Sequence, residues 1–171
     1  MLTRKFNDEV LYSDEPIVRV TREDVGRLKA QALQNDRKRM RLCAHRSTED
    51  TLHEMLIVLT PKAYIRPHRH LDKCESFHVI EGRADILLFD DRGALTEVIP
   101  MGDPASGLCF YYRVADPVYH TVRVISPLFV FHETTKGPFN RAETEFAPWS
   151  PAEQDPVAGA AYLEQIAGTI S

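Results

Sequence analysis

The sequence predicts an all-β protein of the sandwich or barrel type, with a short helix near each end. Three observations support this class. Short β-prone segments follow one another from Met40 to Thr134. Turn-forming residues separate these segments at regular spacing, which is typical of sandwiches and barrels. Helical periodicity is confined to stretches near the two ends of the chain.

The composition is that of an ordinary folded domain. With 171 residues, 43% of them hydrophobic and 27% charged, the chain can bury one core. We therefore expect a single domain, with an N-terminal extension over 1–39, a β-barrel core over 40–139 and a C-terminal tail over 140–171. The net charge of -4 offers no general attraction for nucleic acid. The longest apolar run, Met55 to Leu59, is too short to span a bilayer, so no membrane partner is expected.

The sequence also carries an expectation about the cellular compartment. The first nine residues contain no apolar stretch of signal-peptide length, so we expect a cytoplasmic protein. Cys43, Cys74 and Cys109 are odd in number and widely spaced, which fits reduced thiols better than a disulfide framework.

The N-terminal extension predicts two short strands and one helix. The β-prone runs are Asp8 to Tyr12 and Ile17 to Val20, separated by a turn composition. Thr21 suits a helix N-cap with Asp24 three residues later, and apolar residues then recur at helical spacing to Asn35. This helix should lie across the outside of the sheets.

The predicted core strands follow in chain order. They are Met40 to His45, His53 to Thr60, the two strands of the motif described below, Ala84 to Phe89, Leu95 to Ile99, Leu108 to Val114, Tyr119 to Ile125 and Leu128 to Thr134. The first strand has one apolar face and one face that carries Arg41, Cys43 and His45. The continuous apolar run of the second predicts burial on both faces.

The tail predicts one more helix. Beyond Phe139 the strand pattern ends, and Ser150-Pro151-Ala152-Glu153 is typical of a capping box with proline at the first helical position. Asp155-Pro156 can start another turn before a small apolar stripe made of Tyr162, Leu163 and Ile166. We expect this helix to pack on the barrel or on a second subunit.

The segment from Arg66 to Gly82 predicts a metal site. His68 and His70 are two residues apart on a strand, so both side chains leave the same face, with Cβ atoms about 7 Å apart. The residues from Leu71 to Cys74 suit a tight reversal, after which Glu75 opens a second strand that can return its carboxylate to the histidine face. Imidazole and carboxylate ligands together suit divalent Fe, Mn, Ni, Co or Zn.

These residues carry a family resemblance. The pattern H-x-H, four residues, E, six residues, G, filled by His68, His70, Glu75 and Gly82, is the first signature of the cupin superfamily. The longer strings around it resemble the WbuC-type cupin-fold metalloproteins. So do Phe110-Tyr111-Tyr112-Arg113, Tyr119-His120-Thr121 and the run from Phe131 to Phe139. The likeness extends from roughly Arg39 to Trp149.

The resemblance implies a fold, a fourth ligand and a setting. The fold would be a double-stranded β-helix, the cupin jelly roll, holding one mononuclear metal. His120 lies at the place of the second cupin motif and would complete the ligand set, whereas His78 alternates away from Glu75. WbuC-type proteins are small bacterial proteins often encoded among O-antigen and surface-polysaccharide genes. A homodimer is expected because cupin-type sandwiches expose an N-terminal edge strand that a partner can cover.

Four further residues are candidates for a catalytic role. Arg66 shares the face of the two histidines and either clamps a carboxylate or phosphate or makes a structural ion pair. Tyr112, or its neighbour Tyr111, either supplies a phenol for proton transfer or fills the core. His132 and Glu133 have opposite parity on a late strand, so either can line the pocket.

Two functions fit these features. The first is a metalloenzyme acting on a small polar substrate, such as an anionic sugar or a nucleotide sugar, by isomerisation, epimerisation or oxygenation. The second is a non-catalytic metal-dependent sugar-binding or regulatory module. Open metal positions and Arg66 favour the enzyme.

Overall fold

Two β-sheets face each other in the computed structural model, which describes residues 1–169. The elements in chain order are β1 (Thr3–Lys5), β2 (Val10–Ser13), α1 (Arg22–Gln34), β3 (Arg39–Cys43), β4 (Leu52–Leu59), β5 (His68–His70), β6 (Glu75–Glu81), β7 (Arg83–Phe89), β8 (Leu95–Gly102), β9 (Tyr111–Val114), β10 (Tyr119–Val124), β11 (Phe129–Lys136), β12 (Thr144–Phe146) and α2 (Pro156–Ala167). The predicted all-β class is confirmed.

The chain passes repeatedly from one sheet to the other. One sheet has seven strands in the order β1-β2-β3-β4-β11-β6-β9, and the other has five in the order β12-β5-β10-β7-β8. The pairs formed by these described strands are antiparallel except the parallel pair of β2 and β3. Because β5 and β6 lie in different sheets, residues close in sequence face each other across the interior.

Alternation along the strands builds two separate apolar layers. Ile57 and Phe131 point into the space between the sheets and belong to the largest core cluster. Their neighbours Leu56 and Val130 point the other way and pack under α1. The strand β4 is therefore buried on both faces, as its continuous apolar run predicts.

The helix α1 begins where the sequence predicts. The hydroxyl of Thr21 accepts a hydrogen bond from the Asp24 amide, and the Asp24 carboxylate accepts one from the Thr21 amide at 2.8 Å, which completes a capping box. Leu28 and Ala32 are buried against the outer face of the seven-stranded sheet.

The helix α2 packs on the barrel, and it begins at Asp155-Pro156, the second start that the sequence offers, rather than at the capping box from Ser150 to Glu153. Its N-cap is Asp155, whose carboxylate accepts from the Ala158 amide. Ser150 instead bonds within the tail. Leu163 and Ile166 cover the outer face of the five-stranded sheet beside Leu87 and Tyr119. Within the described residues, neither helix is long and apolar enough to cross a membrane.

Three short segments differ from prediction. The run from Ile17 to Val20 is not a strand; Ile17 and Val20 are exposed and pair with no neighbour. The strands β1 and β12 were not predicted because each has only three residues and forms through its partner, β1 on β2 and β12 on β5. Each sheet therefore includes a segment outside residues 40–139.

Two helical glycines should respond in opposite ways to alanine. A Cβ at Gly26 in α1 meets nothing within 4 Å, whereas one at Gly159 in α2 lies 2.4 Å from the Tyr64 ring. We expect Gly26→Ala to raise the free energy of unfolding by about 0.5–1 kcal/mol through helix propensity. Gly159→Ala should lower it, because α2 must move off the barrel. Chemical denaturation measures both, and stabilisation by both changes would contradict the packing of α2.

Candidate metal centre

Four predicted ligand side chains converge between the sheets. His68 and His70 come from β5, His120 from β10 and Glu75 from β6, and their ligand atoms all lie within 4.8 Å of one another. The prediction that a hairpin at Leu71 to Cys74 brings Glu75 to the histidines is wrong. The segment 71–74 crosses from the five-stranded to the seven-stranded sheet, so the carboxylate reaches the histidines from the opposite sheet.

Strand register sets the histidine positions. His120 pairs directly with His68 across β10 and β5, so both project from adjacent points of one inner face. His70 lies two residues further along β5 on the same face. His78 lies on the outer face of β6, where it is exposed and close to Phe110, as its parity predicts.

Hydrogen bonds fix the far side of each imidazole ring. The Nδ1 atom of His68 lies 2.8 Å from the Arg66 carbonyl oxygen, and that of His120 lies 2.8 Å from the Val118 carbonyl oxygen. Carbonyl oxygens only accept, so Nδ1 carries the hydrogen in both rings and Nε2 keeps its lone pair. The Nδ1 atom of His70 lies 3.3 Å from the Thr144 hydroxyl. These contacts orient the rings as metal ligands require.

The charge arrangement also fits a cation. Glu75 Oε1 lies 2.8 Å from His120 Nε2, and Oε2 lies 2.9 Å from His70 Nε2. A carboxylate oxygen and an Nε2 lone pair this close need a proton or a metal ion between them. Burial opposes charge on His120, but the carboxylate of Glu75 outweighs burial and raises its pKa. A divalent metal meets the same requirement.

His68 and Glu75 are in the protonation states that a metal needs. Burial and the neighbouring His120 lower the pKa of His68 to about 3, so this ring is neutral. Burial alone would raise the pKa of Glu75, but His120 and His70 outweigh it and hold that pKa well below its usual range. Neutral imidazole and ionised carboxylate are the ligating forms.

A cavity of about 510 Å³ leads from solvent to this cluster. It lies between the β3 side of the seven-stranded sheet and the β5–β12 side of the other. Residues that line it include Arg41, His53, Arg66, Glu133, Phe146 and Glu153. The cluster occupies its buried end, since His120 is 2% and Glu75 5% exposed.

Arg66 lines the cavity, but the protein already holds its guanidinium. The Nη2 atom donates to the Ala147 carbonyl at 2.9 Å, and Nε donates to the Ser150 hydroxyl at 3.1 Å. The guanidinium also stacks over Phe146. These bonds secure the tail, and they replace the ion pair considered from sequence.

Of the remaining catalytic candidates, two face inward. Tyr112 is buried beside Phe77 in the core, and burial raises its pKa. Among residues 1–169 its hydroxyl has no hydrogen-bond partner. Glu133 faces the cavity from β11. His132 lies on the opposite face of the strand, 3.8 Å from Glu54, and Tyr111 is exposed. The parity argument places one member of the His132–Glu133 pair inside, and that member is Glu133.

The surroundings of Glu133 shift the pKa of its carboxyl group towards neutrality. Burial first and the Glu75 carboxylate second raise the pKa of Glu133 to about 7, against the opposing effect of Arg41 and Lys73. A carboxyl group with this pKa can both give and take a proton at neutral pH.

The polar face of β3 has two parts. Arg41 lines the cavity, whereas Cys43 is buried near Tyr12 and burial raises its pKa to about 11. His45 stacks on His53, with ring centroids 4.1 Å apart. His53, which lines the cavity, is not among the residues that the sequence predicts for the site. Alternation along β4 could have identified it, because His53 lies on the same face as the inward residues Met55 and Ile57.

Comparisons with known proteins found one family model and several solved structures that are similar to this chain. A family model described as a domain of unknown function (DUF6016) matches residues 20–101. No curated protein matches the sequence. Protein SO0799 from Shewanella oneidensis has a similar structure, with 14% sequence identity and a TM-score of 0.55 over 81% of this chain and 89% of that one.

Two other solved structures align less closely. The R92A mutant of Bacillus subtilis oxalate decarboxylase OxdC has 18% identity and a TM-score of 0.45, over 57% of this chain and 24% of that one. Procruciferin, an 11S globulin from Brassica napus, has 14% identity and a TM-score of 0.44, over 56% and 23%. The chain thus spans about a quarter of each.

The fold and the site together define the class of protein. Two facing sheets joined by strands that alternate between them form a double-stranded β-helix, and the likeness to SO0799 supports it. The chain has a cupin-like fold with a cluster of three histidines and one glutamate suited to a divalent metal.

Removing a proposed ligand should remove the metal. We expect His70→Ala and Glu75→Ala to reduce bound metal from about one equivalent to near zero, because each deletes one of four donors. His78→Ala is the matched control, since it changes a histidine on the outer face of β6. Elemental analysis of purified protein decides the matter, and equal loss in the control would contradict the register of β6.

The metal-free protein should lose stability as Glu133 ionises. Because the folded-state pKa of about 7 exceeds the ordinary value of 4.5, the folded state binds the proton more tightly. The free energy of unfolding should therefore fall between pH 4.5 and 7. Glu133→Gln should remove that fall, leaving the variant about 1–3 kcal/mol more stable relative to wild type at pH 8 than at pH 4.5. Urea denaturation at both pH values measures this, and a pH-independent difference would refute it.

Proposed function

We propose that this protein is a metal-dependent enzyme that acts on a small polar substrate, and that the substrate is a sugar or nucleotide sugar. The observation that carries the proposal is the cavity of about 510 Å³ that ends at the cluster of His68, His70, Glu75 and His120. This volume is in the range of small-molecule sites. A binding module needs no proton-transfer group beside its metal, whereas Glu133 lines the same cavity.

The ligand set favours a first-row transition metal. Three imidazole nitrogens and one carboxylate suit Fe, Mn, Ni, Co or Zn, and a six-coordinate ion would keep two positions for other ligands. Such a metal would polarise a substrate oxygen as a Lewis acid. The protein's own part is to hold the rings through their Nδ1 contacts and to keep Glu75 ionised.

Glu133 is the proposed proton carrier. Its carboxylate can take a proton from the carbon beside a carbonyl group of the substrate. The resulting carboxylic acid can return the proton to the carbonyl carbon while a hydroxyl proton moves to the carbonyl oxygen, or to the opposite face of the same carbon once the intermediate has turned in the cavity. This chemistry covers epimerisation and isomerisation. Tyr112 has no part in this proposal, since it belongs to the apolar core between the sheets.

A surface-polysaccharide setting is part of the proposal. Support comes from the sequence resemblance to WbuC-type proteins over roughly Arg39 to Trp149. A cytoplasmic location fits three cysteines that are all unpaired.

Turnover should depend on both the metal and Glu133. We expect metal-loaded protein to convert at least one member of a panel of nucleotide sugars and sugar phosphates, with products followed by mass spectrometry with and without oxygen. Glu133→Gln should keep substrate affinity by calorimetry but lose about 10²- to 10⁴-fold in kcat. His132→Gln is the matched control, because the neighbouring side chain faces away from the cavity.

The panel also tests the non-catalytic alternative. Tight, metal-dependent binding without conversion by wild type would replace the enzyme with a sugar-binding or regulatory module. Conversion by Glu133→Gln at the wild-type rate would remove Glu133 from the mechanism.

A homodimer is also proposed. The seven-stranded sheet ends at β1, whose three residues are all exposed and whose outer edge has no partner among the described residues. Light scattering at micromolar concentration should give twice the mass of the chain. Deleting residues 1–6 should shift the mass towards the monomer if β1 forms the interface, and a monomeric wild type would end the proposal.

A further inference from the structure

Six arginine and lysine side chains line the cavity, and besides Arg66 and Arg141 they form two groups that differ in their ion pairs. In the first group, Arg37 and Arg39 each contact both Glu9 and Glu153. Two of these contacts measure 3.2 Å, from Arg37 Nη1 to Glu9 and from Arg39 Nη1 to Glu153. Because two carboxylates contact two guanidinium groups, the positive charge of this group is already balanced. The network also joins the N-terminal segment, β3 and the tail.

The second group consists of Arg41 and Lys73, whose positive charges are not balanced by ion pairs among the described residues. Both side chains are half-buried and line the cavity. Within residues 1–169, neither has a carboxylate oxygen within 4.0 Å, and the guanidinium of Arg41 makes no hydrogen bond to the protein. Lys73 Nζ lies 5.7 Å from the centre of the Phe139 ring. A partly buried cation without a partner is costly unless a ligand satisfies it.

These two cations lie on the approach to the metal cluster. Lys73 belongs to the crossing segment that leads directly into Glu75. Arg41 projects from the inner face of β3, two strands from β11, and both cations act electrostatically on Glu133. With a divalent metal bound, the positive charge of the metal, Arg41 and Lys73 exceeds the negative charge of Glu75 and Glu133. This part of the cavity therefore favours an anion.

We propose that Arg41 and Lys73 form a subsite for a carboxylate or phosphate group of the substrate, while another oxygen of the same molecule reaches the metal cluster. This inference rests on the proposed function and narrows its substrate class to acidic sugars and sugar phosphates. It assigns anion recognition to Arg41 and Lys73 in place of Arg66, whose guanidinium is already bonded to Ala147 and Ser150. Arginine supplies a two-pronged donor and lysine a point charge.

The test compares matched neutral and anionic probes. Calorimetry with metal-loaded protein would use glucose, glucuronate and glucose 6-phosphate, with inorganic phosphate as the simplest anion. Wild type should prefer the anionic sugars by at least about tenfold, and Arg41→Gln or Lys73→Gln should each remove about tenfold of that preference. Metal content should stay unchanged in both variants. The stronger of the two anionic sugars identifies carboxylate or phosphate as the preferred group.

Two further variants separate a specific subsite from general charge. Arg37→Gln removes one positive charge from the same cavity wall at a residue already paired with Glu9 and Glu153, so the preference should survive. Arg41→Lys keeps the positive charge but loses the paired N–H donors of the guanidinium, so it should retain part of the preference for anionic sugars. Equal loss in Arg37→Gln and Arg41→Gln would overturn the subsite, as would failure of every anion to bind at millimolar concentration.

The result distinguishes the subsite from the function on which it rests. Metal-dependent binding or turnover of neutral and anionic sugars alike would leave the metal-dependent function standing and refute the subsite. Anion binding that requires Arg41 and Lys73 but is unchanged in metal-free protein, without turnover, would support the subsite and remove the metal-dependent function.

Discussion

The buried carboxylate of Glu75 between two imidazole rings is the interaction on which the interior of this protein depends. One carboxylate oxygen faces His120 and the other faces His70, and Glu75 is only 5% exposed. A charge in that position is tolerated only if a cation shares the site. It also joins the two sheets, since Glu75 lies on β6 and the histidines lie on β5 and β10. Packing between the sheets and ligand geometry are therefore coupled.

The surrounding backbone makes the histidine positions specific. Carbonyl groups two residues before His68 and His120 accept from Nδ1, so each strand orients its own ligand. The strand β12 adds the Thr144 hydroxyl beside His70. Downstream, Ala147 and Ser150 hold Arg66. The tail after β11 thus supports the site although it supplies no ligand, and this explains why a short edge strand forms there.

Much of this arrangement follows from local patterns in the sequence. Period-two alternation identifies the inward faces, and it places His68, His70 and His120 inside and His78 outside. The capping box at Thr21 identifies the start of α1. Strand partners are different, because pairing depends on contacts distant in sequence. The sequence therefore predicts a hairpin where the chain crosses between the sheets after His70. It does not predict β1 and β12, because these three-residue strands lack a motif of the kind that identifies β5.

The sequence also does not predict which role each charged residue has. Arg66 shares the histidine face, so its sequence position suggests a ligand clamp. In the structure its guanidinium instead donates a hydrogen bond to the Ala147 carbonyl in the tail. The role of each arginine depends on which carboxylates or carbonyls lie nearby, as Glu9 and Glu153 do for Arg37 and Arg39. A partly buried cation without a protein partner retains its full capacity to bind a ligand, and sequence position alone does not show which cations are in that state.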